Sequence, residues 1–331
     1  MTRKVYAALF VLLAIKTSTY AQQKEIPVDT TYNVDRVYRQ VRKDFPMAVP
    51  ARDSLPAGVI AERNIVYATL PETPFGKRDL HLELFRPQKK GKYPAIIMIH
   101  GGGWRSGTRF MQVPMAQMLA AKGFVTIPVE YQLSLEAKYP AAVHNIKAAI
   151  RYIKANADKY NIDTTRLAIS GCSAGGQLAA LIGFTGDVPL FEGTQGDHKG
   201  ISTKVHAIVD IDGVLDFLAP NSLNLQRKTD AADVAWFGGT FEEKPATWKE
   251  ASGIFWASEK TAVPTLFLNS GFPRFHAGQD ELIAMMKLWN VKTAVHAFDL
   301  KMHPFWLFHP WVEQVVEYEA NFLNEVLPHK N

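Results

Sequence analysis

Residues 166–177 read Arg-Leu-Ala-Ile-Ser-Gly-Cys-Ser-Ala-Gly-Gly-Gln, and this stretch decides the fold. Arg166–Ile169 has strand character and Gln177–Phe184 is helix-prone, so Ser173 stands on a turn between a strand and a helix. A serine on such an elbow is held at positive φ, and glycine two residues before and after it leaves room for the turn. Gly171 and Gly175 fill both places. Upstream, residues 100–104 read His-Gly-Gly-Gly-Trp directly after the apolar run Pro94–Ile99. The two motifs in this order point to a serine hydrolase.

Outward from the elbow, strand and helix alternate. Arg63–Leu70 and Arg78–Pro87 read as paired strands, and Pro94–Ile99 as a strand buried on both faces. Phe124–Tyr131 reads as a strand, Ala141–Asp158 as an amphipathic helix, and Val205–Ile211, Val263–Leu268 and Lys292–Phe298 as further strands. Helices are expected at about 278–289 and 310–326. This alternation implies a mostly parallel sheet with helices on both faces, whose ligands bind at the carboxyl ends of the strands. Thr185–Lys204 and residues 217–260 interrupt it. Both are expected to leave from the carboxyl edge and to form walls or a small cap over the pocket.

The chain has 331 residues, 47% of them hydrophobic, enough for one large core. Its organisation reads as a signal peptide over 1–21, an N-terminal arm over 22–58 and a catalytic domain over 59–331. Residues 1–21 carry Arg3 and Lys4, then the apolar stretch Val5–Ile15, then Thr-Tyr-Ala ending at residue 21. That is the layout of a cleavable secretory leader, too short to span a bilayer comfortably, so a secreted or periplasmic protein without stable membrane insertion is expected. The formal charge is +5, of which Arg3, Lys4 and Lys16 in the leader supply three, leaving +2 for the rest. So small a charge argues against nucleic acid as a partner. Residues 22–58 are polar and read as an arm or partly ordered lead-in. Cys172 is the single cysteine, so no internal disulfide can form. It stands one place before the elbow serine, where a side chain points away into the sheet.

Ser173 needs a base to accept its proton, and histidine is the usual supplier because its pKa lies near working pH. His303 stands in the loop leaving the last expected strand, at the active edge. His309 is the rival, but it precedes Pro310 at the start of the final helix. His276 and His296 read as structural or substrate-facing. The run of three glycines after a buried strand lets the backbone approach a developing oxyanion, so the N–H groups of Gly102, Gly103 and Ala174 are the expected donors. No His-x-x-x-His or paired-cysteine spacing occurs, and neither metal nor cofactor is expected.

The chain resembles the α/β-hydrolase superfamily in His-Gly-Gly-Gly-Trp at 100–104, Gly-Cys-Ser-Ala-Gly-Gly at 171–176 and the late Met-His-Pro-Phe-Trp at 302–306. It is most similar in flavour to secreted esterases and lipases that include carbohydrate acetylesterases and feruloyl esterases. The resemblance covers about residue 60 to the end. It implies an eight-stranded, mostly parallel sheet, Ser173 as nucleophile and a backbone oxyanion hole. It also implies an aspartate just after the seventh strand, where this chain instead reads Asn-Ser-Gly-Phe-Pro-Arg at 269–274. Asp212, at the end of the sixth strand, is the favoured acid. Asp280, Asp216, Glu281 or no acid at all stay open, and Asp210 lies on the same strand.

Removal of acetyl or another small acyl group from a polysaccharide such as xylan or pectin is the leading reading. A peptidase on the same scaffold and a catalytically weak carbohydrate-binding relative are the alternatives. Phe305, Trp306, Phe308 and Trp311 crowd the His303 loop and suit either sugar rings or core. Arg274 and His276 near the same rim suit either a uronate carboxylate or a helix cap.

Overall fold

The computed structural model describes residues 24–328, so the expected leader lies outside the described residues. Its central sheet is built from β1 (Val59–Leu70), β2 (Arg78–Pro87), β3 (Tyr93–Ile99), β4 (Val125–Val129), β5 (Ile162–Cys172), β6 (Ala207–Ile211), β7 (Thr265–Asn269) and β8 (Thr293–Ala297). Their spatial order is β1-β2-β4-β3-β5-β6-β7-β8. β2 runs antiparallel to both its neighbours, and every pair from β4 across to β8 is parallel. The carboxyl ends of β3, β5, β6 and β7 therefore open on one edge.

The longer helices are α1 (Val34–Asp44), α2 (Val113–Ala121), α3 (Ala141–Ala155), α4 (Ala174–Phe184), α5 (Gln279–Leu288) and α6 (Trp311–Val326). The alternation of strand side chains divides the core in two. On β3, Ala95, Ile97 and Ile99 face a layer with α3, α4 and α5, whereas Ile96 and Met98 face a layer with α1, α2 and α6. All five are fully buried, which is why Pro94–Ile99 reads as a continuous apolar run.

The structure differs from the sequence reading in three places. First, the stretch 22–58, read as an arm or partly ordered lead-in, carries a helix and a short strand from Lys24 onward. Asn33 caps α1 by accepting the Arg36 N–H at 3.0 Å, and Val37 and Val41 on one face of α1 enter the core. Val49–Pro50 then pairs antiparallel with Phe308–His309. Second, α2 lies where no helix is expected. Six of its nine residues are buried, so it lacks the polar stripe that reveals a helix in sequence.

Third, Thr185–Lys204 does not wall the pocket. α4 starts at the carboxyl edge and returns along the sheet, as a helix joining two parallel strands must, so the segment after it emerges at the amino edge. There Arg151 bonds Glu192 at 3.0 Å and Lys154 bonds the Ser202 carbonyl at 2.8 Å. Residues 217–260 do sit beside the elbow: Gln177 on α4 donates to the Ala251 carbonyl at 2.8 Å and accepts from the Trp104 indole at 2.9 Å.

Candidate active site

Ser173 follows β5 with φ 58° and ψ −119°, a strained conformation for a residue with a side chain. Close backbone contact makes the flanking glycines obligatory. A Cβ on Gly171 would lie 2.0 Å from the Gly175 carbonyl oxygen, and one on Gly175 would lie 2.2 Å from that of Ile99. The Ser173 N–H donates to the Ile211 carbonyl at 2.7 Å, so β6 fixes the elbow from the side. Cys172 is fully buried on the opposite face, where its sulfur accepts from Gln112 at 3.4 Å and burial pushes its thiol pKa well up. It is no nucleophile in this setting.

His303 reaches the elbow from the loop after β8. Its Nε2 lies 2.8 Å from Ser173 Oγ, and its Nδ1 lies 2.8 Å from Asp212 Oδ2. With Nδ1 facing a carboxylate the imidazole proton sits there, leaving Nε2 free to accept from the serine. Asp212 occupies the first position after β6 with φ 53°, and its side chain is completely buried. The second oxygen of this carboxylate accepts the Ser270 N–H at 2.7 Å. Both oxygens are thus satisfied, as a buried carboxylate requires.

The other candidate acids do not reach His303. Asp280 and Glu281 are exposed in the first turn of α5. Asp216 Oδ1 accepts the Leu218 N–H at 2.8 Å. Asp210 points toward the first turn of α4, accepts the Gly213 N–H at 2.7 Å, and is pushed up to about 7 by burial. Of the other histidines, His309 pairs with Glu313 one turn along α6, His276 Nε2 donates to the Ser270 carbonyl at 2.9 Å, and His296 stacks on Tyr318 at 3.9 Å.

The glycine loop lies against the elbow, with a Cβ built on Gly101 falling 3.1 Å from Ser173 Cβ. Gly102 (φ 120°) and Gly103 (φ 59°) turn the chain, and the Gly102 carbonyl accepts the Ser106 N–H at 3.0 Å. Gly102 and Gly103 follow Gly101 and are partly exposed, and Ala174 opens α4 directly after Ser173. Their N–H groups engage no protein acceptor among the described residues. His100 anchors the loop. Its Nδ1 donates to the Gly101 carbonyl at 2.8 Å and its ring stacks on Tyr131 at 4.4 Å. Burial pushes its pKa down to about 4, which keeps it neutral. Trp104 stacks flat on Trp236 at 4.6 Å, fastening the loop to the 217–260 segment.

Phe275 is the site residue that sequence reasoning missed. Its ring lies face to face with His303, 3.8 Å between centroids and 6° from parallel, while Trp306 meets the imidazole edge-on at 5.1 Å. No periodicity or motif announces a contact between residues 28 positions apart in separate loops. Phe305, Trp306 and Phe308 are buried and belong to the core. Together these groups can move the Ser173 proton to His303, hold the imidazolium against Asp212, and present N–H donors to an oxyanion. Among the described residues, no cluster of His, Cys, Asp and Glu could hold a metal ion.

The fold has many counterparts among solved structures. A truncated carbohydrate esterase from gut microbiota superposes with a TM-score of 0.68 at 24% identity, covering 83% of this chain and 99% of that one. An acetyl ester-xyloside bifunctional hydrolase from Caldicellulosiruptor lactoaceticus gives a TM-score of 0.60 at 22% identity, covering 84% and 96%. In sequence, the chain is 28% identical over 255 residues to the esterase LipC of Mycobacterium tuberculosis, which is 71% of this chain and 61% of LipC. Residues 82–287, well over half of the chain, match the BD-FAE family. The mostly parallel eight-stranded sheet, the esterase-like neighbours and that match agree: the chain belongs to the BD-FAE family, on the α/β-hydrolase fold.

Proposed function

We propose that this protein is a serine carboxylester hydrolase that removes acetyl or another small acyl group from carbohydrate. One observation carries the reading: the unbroken hydrogen-bonded chain from Ser173 Oγ through His303 to Asp212. With this geometry, Ser173 attacks the ester carbonyl as its proton passes to His303 Nε2. Negative charge collects on the former carbonyl oxygen, where Gly102, Gly103 and Ala174 donate. His303 returns the proton to the departing alcohol, leaving an acyl-serine. Water deprotonated by the same imidazole then releases the acid and restores Ser173.

The carbohydrate assignment is supported by the neighbours that are themselves a carbohydrate esterase and an acetyl ester-xyloside hydrolase. An acylated plant polysaccharide such as xylan or pectin is the proposed substrate, and the leader-like residues 1–21 support a secreted or periplasmic site of action. Among the described residues, no helix is long and apolar enough to cross a membrane.

The test is Ser173→Ala, assayed on 4-nitrophenyl acetate and by acetate release from acetylated xylan. A folded variant that loses about three orders of magnitude or more in both assays supports the reading. Retention of a tenth of the activity would require another nucleophile.

A further inference from the structure

Arg274 carries a guanidinium that the fold leaves under-coordinated at the mouth of the site. It lies in the short turn Pro273–His276 after β7, next to Phe275, whose ring stacks on His303. The guanidinium carbon is 5.9 Å from the centroid of this same Phe275 ring. Its single acceptor among the described residues is Asp233 Oδ2 at 3.3 Å, and its Nε is buried without a partner.

Asp233 is already neutralised by another residue. Arg227 Nε donates to the same Oδ2 at 2.8 Å, and the rest of that guanidinium is spent on the carbonyls of Ser222, Leu223 and Leu225. Two arginines thus share one buried carboxylate, and the surplus positive charge resides on the weakly bonded Arg274. Asp233 also fixes where that charge sits. It belongs to the helix Ala232–Phe237, and Ala232 abuts the glycine loop so closely that a Cβ on Gly103 would fall 2.9 Å from its own. The Arg274–Asp233 contact therefore joins the histidine side of the cleft to the oxyanion side. Of the guanidinium nitrogens, Nη1 has no protein acceptor among the described residues.

We propose that Arg274 is a specificity residue that binds a carboxylate on the alcohol portion of the substrate, so that acyl esters of acidic, uronate-type sugars are preferred over neutral ones. This rests on the ester-hydrolase reading above. Arg274 Nη1 has no protein acceptor and can give a charge-assisted hydrogen bond to a carboxylate, whereas a neutral hydroxymethyl group at the same sugar position offers only one weak acceptor. His276, the other rim candidate, is committed to the Ser270 carbonyl.

The experiment measures kcat/KM of the full protein by acetate release from the monoacetylated methyl glycosides of glucuronate and of glucose, with 4-nitrophenyl acetate as a third substrate. The wild type is expected to favour the glucuronate ester by about tenfold or more, and salt should erode that ratio by screening. Arg274→Gln should collapse the glucuronate-to-glucose ratio to near one, through KM, and Arg274→Lys should restore part of it. A merely structural strut between the cleft walls would lower both sugars together and leave the ratio unchanged, which would overturn the proposal. So would a wild-type ratio near one that ignores salt. If 4-nitrophenyl acetate turns over while either of these holds, the ester-hydrolase reading survives and the carboxylate site does not. If none of the three substrates turns over, the ester-hydrolase reading itself fails and takes the inference with it.

Discussion

Asp212→Asn isolates the orienting acid without changing side-chain size, and the structure fixes which way the new amide must turn. Asp212 Oδ1 accepts the Ser270 N–H at 2.7 Å and Oδ2 accepts from His303 Nδ1 at 2.8 Å, in a fully buried position. An asparagine has one acceptor to offer for two donors. If its oxygen serves His303, its NH2 meets the Ser270 N–H, and that buried clash of donors costs about 1–3 kcal/mol. If its oxygen serves Ser270, its NH2 faces Nδ1 and draws the imidazole proton to Nε2, where it points at Ser173. The second arrangement is the more stable one, and it has no base. A bias of that size removes about one to two orders of magnitude, and loss of the carboxylate beneath the developing imidazolium adds more. A fall of about three to four orders of magnitude in kcat on 4-nitrophenyl acetate is expected, with KM little changed and the circular dichroism spectrum intact. Asp280→Asn, out on the first turn of α5, should change the rate less than about twofold. A loss under tenfold for Asp212→Asn in folded protein would refute the reasoning and describe the site as a serine–histidine dyad.

Gly102→Ala would place a Cβ 2.1 Å from the Ser106 carbonyl oxygen at a φ of 120° that only glycine adopts with ease, so the oxyanion turn must open. A folded variant should lose about two to three orders of magnitude in kcat, measured on the same aryl acetate; near-normal rates would discount the loop as a source of donors. Glu319 is fully buried on α6 and burial pushes its pKa up to about 8, from 4.5 when exposed, so the folded state holds a proton that the unfolded state releases. Its contribution to stability is complete below about pH 4.5 and is lost as pH rises through about 8, a change of the order of a few kcal/mol that Glu319→Gln should flatten in urea titrations across that window. An unchanged slope in the variant would locate the pH dependence elsewhere, with Asp210 next in line. Protein recovered from its native host should begin at about Gln22, and N-terminal sequencing that finds Met1 would contradict export by cleavage.

The parts of the fold that were legible in the sequence are those where burial leaves a pattern. β3 is a continuous apolar run because both its faces are covered, and the elbow is marked by glycines that close backbone contacts demand. α2 was hidden by the opposite circumstance: packed between sheet and neighbours, it shows no polar face. α1 did carry a signal, Asn33 followed by Val37 and Val41 one turn apart, but a run of arginines and lysines masked it. The histidine side of the site comes from chain order. Phe275 does not, because its contact with His303 is created only when two loops after different strands meet. The placing of Thr185–Lys204 at the pocket failed on direction alone, since a helix that begins at the active edge delivers the next segment to the far edge.

The acid shows how a site can depart from a family pattern without losing geometry. The seventh strand ends here in Asn269 and is followed by Ser270, with no carboxylate, and Asp212 stands one strand nearer the serine. Ser173 and Asp212 are nonetheless each held by the strand beside them. The Ser173 N–H is bound by Ile211 of β6, the Asp212 N–H is bound by Leu268 of β7 at 3.0 Å, and the Asp212 carboxylate is bound by Ser270 just past β7. The seventh strand therefore still orients the histidine, through a backbone N–H rather than a side chain. Positive φ at both Ser173 and Asp212 is the cost of turning two neighbouring strand ends toward one imidazole, and cross-strand bonds of this kind are what hold such strain in place. Because the bond uses the backbone N–H, the hydroxyl of the buried Ser270 is not needed for it, whereas a proline there would abolish it. Ser270→Ala should accordingly leave the Ser173–His303–Asp212 geometry intact and the rate on 4-nitrophenyl acetate close to that of the wild type. Ser270→Pro, which deletes the N–H, should free one buried carboxylate oxygen, let Asp212 rotate away from His303 and lower that rate.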